Sequence, residues 1–103
     1  MKPLIYGYMR VPEGADGDVI HKLELGLKQL AAVEGFCFAA TFYETHGGYH
    51  GAFYELTEEL QRAEARHVVV PSLEHFSRHP ILRDQMIERL EHEANARVWV
   101  VEQ

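Results

Sequence analysis

Apolar and polar positions alternate along this chain with two periods that take turns. Leu4-Ile5-Tyr6-Gly7-Tyr8-Met9-Arg10-Val11 is a short run of β-formers bounded by turn residues, which predicts a first strand buried on most sides. Pro12 and Glu13-Gly14-Ala15-Asp16-Gly17 break it into a loop. Ile20, Leu23, Leu27 and Leu30 then recur three and four apart, the spacing of one helix face, with Asp16 or Asp18 placed to cap it and Gly35 to stop it. Phe36 to Tyr43 predicts a second strand, and Glu44 to Gly51 a glycine-containing loop. Phe53, Leu56, Leu60 and Ala63 return to helical spacing and run out near Arg66. His67 to Pro71 predicts a third strand, Ser72 to His79 a polar loop, and Pro80 the first turn of a helix with Leu82, Met86, Ile87 and Leu90. Asn95 closes that helix, and Val98 to Val101 predicts a fourth strand.

Strand and helix alternating in this way predict an α/β fold. Its mostly parallel sheet has about four strands, with helices on both faces. With 103 residues and neither repeat nor linker, a single domain over 1–103 is expected. In open sheets of this kind ligands sit beyond the carboxyl ends of the strands. Three loops lie there: Arg10-Val11-Pro12, Glu44 to Gly51, and Ser72 to Arg78.

Charge and cysteine content narrow the picture. Sixteen acidic residues against ten basic ones give a net charge of −6, so a DNA-binding protein acting alone, which needs a basic face, is not expected. The single cysteine, Cys37, cannot form an internal disulfide and is expected to be a buried structural thiol in its strand. That cysteine and the lack of a leader-like start point to a cytoplasmic protein, and no apolar run is long enough for a membrane span.

Three short motifs, in order, carry a family resemblance. Tyr8-Met9-Arg10-Val11-Pro12 resembles the Tyr-x-Arg-Val-Ser strand of serine recombinases (resolvases and invertases), with proline in place of the serine. His50-Gly51-Ala52-Phe53 is similar to their Arg-Pro-x-(Leu/Phe), with histidine in place of the arginine. Leu73-Glu74-His75-Phe76-Ser77-Arg78 is similar to Leu-Asp-Arg-(Leu/Phe)-x-Arg. The resemblance spans essentially the whole chain and implies a three-layer resolvase-like sandwich. It also implies a degenerate pocket of Arg10, Pro12, His50, Glu74, His75 and Arg78. In that family the serine attacks a DNA phosphodiester while arginines stabilise the phosphoryl charge. Pro12 has no hydroxyl, and His50 and His75 are weaker, partly charged donors. Only Arg10 and Arg78 carry over unchanged. The last predicted strand runs to Val101, so neither the family's long dimerisation helix nor its helix-turn-helix domain is expected.

The expectation is therefore a catalytically inactive domain that acts as a protein-interaction or regulatory module. A protein partner or a second copy is expected, with no cofactor. The alternative is a residual phosphoryl-transfer or nuclease activity at Arg10, His50, Glu74, His75 and Arg78. Two finer options attach to the pocket. Arg10 and Arg78 could hold an anion, although pairing of Arg10 with Glu74 or Glu44 is favoured. His46, His50, His75 and His79, with Glu44 and Glu74, have side chains competent for zinc, but no HExxH or CxxC pattern accompanies them and no metal is expected. Ser72, Ser77, Thr45 and Tyr49 read as loop residues rather than substitute nucleophiles.

Overall fold

The computed structural model describes residues 1–11, 13–45 and 50–102. Pro12, His46 and Tyr49 lie outside the described residues. The strands are β1 (Leu4–Arg10), β2 (Cys37–Glu44), β3 (His67–Val70) and β4 (Arg97–Val100). The helices are α1 (Gly17–Glu34), α2 (Gly51–Ala63) and α3 (Pro80–Ala94), and a 3-10 turn covers Leu73–His75 within the expected polar loop. All strand pairs are parallel, in the order β2-β1-β3-β4.

Alternation along the strands divides the core between the two faces. Tyr6, Tyr8, Val68 and Val70 point to one face, where Phe53, Leu56 and Leu60 of α2 and Met86 and Leu90 of α3 close over them. Ile5, Met9 and Val69 point to the other, against Leu27 and Ala31 of α1. Strands buried on both sides explain why β1 and β3 read as nearly unbroken apolar runs.

The ends of the helices follow their residues. Asp16 caps α1 by accepting the Asp18 N–H at 2.9 Å. Gly35 ends it at φ 81°, where its own N–H reaches the carbonyls of Ala31 and Ala32. Asn95 closes α3 at φ 51°. Helix α2 ends at Ala63, slightly before the expected Arg66, because Glu64 takes the left-handed conformation at φ 54°.

Two sequence expectations change. Cys37 is exposed rather than buried, because β2 is an edge strand and Cys37 is its first residue. Glu44 belongs to β2 rather than to a loop, and it is buried. The β2 edge is also irregular. Ile5 pairs with Phe38 and Gly7 with Thr41, which leaves Ala39 and Ala40 opposite Tyr6 alone, a β-bulge.

Gly7 sets how closely α1 approaches the sheet. A Cβ there would lie 2.9 Å from Leu27 Cδ1 and 3.1 Å from Phe38 Cζ. Leu27 is fully buried and has little room to move. Gly7→Ala is expected to lower stability by about 1–3 kcal/mol in urea titrations. Gly17→Ala, with nothing within 4 Å of the added carbon, should leave the midpoint unchanged or slightly raised.

Candidate functional site

The strand order reverses direction between β1 and β3: β1 leads outward to β2, and the chain then crosses back to β3. The crevice at the carboxyl ends of these two strands is where such sheets bind ligands. Arg10 is the last residue of β1. The 3-10 turn follows β3 after Pro71 and Ser72. His50 and the start of α2 complete the third side.

Arg10 ties these three pieces together. Its backbone N–H donates to His75 Nδ1 at 3.0 Å. Its guanidinium Nε donates to the His75 carbonyl at 3.3 Å, and Nη2 donates to the Phe76 carbonyl at 3.0 Å. Nη2 also lies 3.3 Å from His50 Nδ1. A guanidinium cannot accept, so in this contact His50 Nδ1 is the acceptor. The carbonyls of a turn's last residues lack partners within the turn, and a cation there satisfies both their hydrogen bonds and their dipoles.

The expected pairing of Arg10 with Glu74 or Glu44 is not what the structure has. Among the described residues the ion pairs are Arg62–Glu59, Arg89–Glu93 and His92–Glu88. The backbone geometry of the turn accounts for the difference. Its carbonyls converge on the guanidinium, while Glu74 is exposed.

Glu44 has a different task. One carboxylate oxygen accepts from the Tyr8 hydroxyl at 3.2 Å and the Phe53 N–H at 3.3 Å. The other accepts from the Ala52 N–H at 3.3 Å. The carboxylate thus serves the first amides of α2, which have no partner within the helix. His50 itself makes no side-chain cap. Burial pushes the Tyr8 phenol up; the nearby Arg10 opposes this, and Glu44 adds to it. Tyr8 stacks on Phe76 at 5.4 Å, so the polar groups rest on an aromatic floor.

His75 is neutral by both geometry and environment. Its Nδ1 accepts a backbone N–H, and burial, helped by the positive charge of Arg10, lowers its pKa below the ordinary value. Neutral His75 therefore does not stand in for an arginine's charge, which corrects the view of it as partly cationic. Arg78 and His79 are exposed, and Ser77 is buried with its Oγ accepting the His79 N–H at 3.1 Å. Among the described residues no three histidine, cysteine or carboxylate side chains gather as metal ligands, and no helix is long and apolar enough to cross a membrane.

Beside Arg10 lies an open cleft of about 520 Å³. Met9, Val11, Val19, Ile20 and Leu23 make it mostly apolar, and Ser72, Glu74, His75 and Arg78 stand on its polar side. The structure thus brings Arg10, Glu74, His75 and Arg78 to one cleft and draws His50 in through Arg10. The anchoring carboxylate of Glu44 escaped the sequence reading. The available signal was an acidic residue ending a strand shortly before a helix.

No known family model matches the sequence, and no curated protein does. The fold does have close counterparts among solved structures. The C-terminal catalytic domain of ISC1926 TnpA, an IS607-like serine recombinase, superposes with a TM-score of 0.81 at 13% identity, over 97% of this chain and 68% of that one. The N-terminal catalytic domain of TP901-1 integrase gives 0.75 at 17% identity, over 95% of this chain and 76% of that one. The chain has the fold of a serine recombinase catalytic domain.

Two measurements check the site. Arg10→Met is expected to destabilise the fold by about 1.5–3 kcal/mol, the scale of hydrogen bonds to a charged donor, read from urea midpoints. The depressed pKa of His75 means that the unfolded chain takes up a proton before the native one. Its contribution to stability is full above the unfolded value of about 6.5 and is lost as the pH falls through the lower native value. His75→Asn, which keeps an acceptor for the Arg10 N–H, should flatten the fall in stability as the pH drops below that unfolded value, leaving the part due to His67, also depressed by burial.

Proposed function

We propose that this chain is a catalytically inactive domain of serine recombinase fold, working as an interaction or regulatory module that self-associates. One observation carries the reading. The arginine that matches the family's strand motif, Arg10, turns its guanidinium onto the carbonyls of His75 and Phe76. A cation whose Nε and Nη2 donate to the protein's own backbone has fewer donors to offer a phosphoryl group.

The other substitutions agree with it. Pro12 offers no hydroxyl at the place of the family serine. His75 stands neutral where the motif has an arginine. Loss of one preorganised donor costs about 2.7–4 kcal/mol of transition-state stabilisation, and two such positions are changed here. The net charge of −6 opposes approach to a polyanion. A fold retained without its catalytic groups leaves binding as its use, and a second copy is a partner that the fold can offer without any further component.

The test is incubation of the purified protein with supercoiled and nicked suicide DNA at low salt, with and without zinc. Denaturing gels should show neither strand cleavage nor a protein–DNA adduct. Cleavage that disappears in Arg10→Ala and Arg78→Ala, both still folded, would overturn the reading in favour of phosphoryl transfer at the altered pocket.

A further inference from the structure

The four-stranded sheet has two edges, and they differ. At β2 the bulge at Ala39 and Ala40 interrupts the ladder, one of the devices that keep an edge from pairing with another chain. β4 has no bulge and no proline, and its register with β3 is regular from Arg97 to Val100. Val98, Trp99 and Val100 are all only partly buried.

The hydrogen bonds of β4 determine which groups are left over. Arg97 N–H donates to the Arg66 carbonyl at 2.8 Å, and Val101 N–H donates to the Val70 carbonyl at 3.1 Å. Odd-numbered residues therefore turn their backbone groups toward β3, and Val98 and Val100 turn theirs outward. A second copy related by a two-fold axis would bring an identical outward row in the opposite direction. Residues directly opposite must share a face of the sheet, so the axis passes beside a residue. Beside Arg97 it would pair Val98 with Ala96, whose N–H is held by the Leu90 carbonyl, which leaves Val98, Trp99 and Val100.

Two of these registers fail on bonds already made. Centring on Val98 would need the N–H of Ala96, which donates to the Leu90 carbonyl at 3.0 Å. Centring on Val100 would need the N–H of Glu102, which donates to the Pro71 carbonyl at 3.0 Å. Centring on Trp99 pairs each Val98 with the Val100 of the other copy and uses every outward donor and acceptor of the strand.

We infer that the β4 edge is a self-association surface, on which two copies pair antiparallel about Trp99 to extend the sheet across both. The inference rests on the self-association in the proposed function and supplies its surface. In this register the two Trp99 residues form a non-hydrogen-bonded pair, with Cα atoms about 4.5 Å apart. Each indole is held in place: its N–H donates to His67 Nδ1 at 3.2 Å, and the Arg97 guanidinium lies 4.1 Å from its ring centroid.

Apolar surface continues onto the helix above. A Cβ at Gly26 of α1 would lie 3.5 Å from Val101 Cγ1, so this flank of α1 overlooks the end of β4. Val33 falls seven residues later on the same flank and is 83% exposed. Val101, at 38%, borders it below. The pairing strand is short, and stable interfaces bury about 1,200–2,000 Å² in all, so association should be weak and concentration-dependent. Two copies that each carry −6 repel one another, so added salt should strengthen the association.

The test combines sedimentation velocity over a concentration series with amide hydrogen exchange at its two ends. The expected result is a shift from one chain to two with rising concentration, with the Val98 and Val100 amides gaining protection as the dimer forms. The Ala39 and Ala40 amides at the other edge should not change. Val100→Pro removes an outward N–H without touching a bond to β3, and should lose the dimer while keeping its far-UV circular dichroism. A dimer without protection at Val98 and Val100 would overturn this surface and leave self-association standing. A strict monomer at every concentration would overturn both. Because the exchange readout uses the unaltered chain, it decides the matter even where Val100→Pro fails to fold.

Discussion

The carboxyl edge of the sheet depends on a single cation. The Arg10 guanidinium reaches from the end of β1 to the carbonyls of His75 and Phe76, while its backbone N–H holds the imidazole of His75 from the other side. These contacts fix the turn that follows β3 against the strand beside it. Phe76, fully buried and stacked on Tyr8, is thereby pressed into the core between α2 and α3. Polar closure at the surface and aromatic packing below are one unit, and Arg10 belongs to both.

Glu44 provides the complementary anchor. It is the register partner of Arg10 on the neighbouring strand, and its carboxylate serves the first amides of α2, with the Tyr8 hydroxyl as a further donor. An arginine on turn carbonyls and a carboxylate on helix amides each neutralise a backbone dipole end. The protein's own backbone thus receives charges that could otherwise meet a ligand. The cleft that remains beside them is mostly apolar, with Arg10, His75 and Arg78 on its polar side.

Much of this fold was legible in the residues. The shift between strand and helix periods placed each strand and α-helix within a few positions, because β1 and β3 are buried on both faces and α1 and α2 on one. Asp16, Gly35, Pro80 and Asn95 marked helix ends through local backbone chemistry, which needs no tertiary information. The site was less legible for the opposite reason. That Arg10 would bind carbonyls sixty-five and sixty-six residues away depends on how the turn after β3 presents them. A search for opposite charges led to Glu74 and Glu44, whereas the stronger claim came from backbone groups. Cys37 misled because an apolar neighbourhood in sequence does not reveal that its strand lies at the sheet's edge.

On the proposed reading, Arg10 is a structural tie of this fold rather than an anion ligand. The most direct test is the thermal stability of the protein in increasing inorganic phosphate, against sodium chloride of matched ionic strength. An anion that bound only the native state would add about 1.4 kcal/mol at ten times its Kd. The account predicts the same melting temperature in both salts through the low millimolar range. A phosphate-specific rise that vanishes in Arg10→Lys would contradict it and return Arg10 to the role of a phosphate-binding residue.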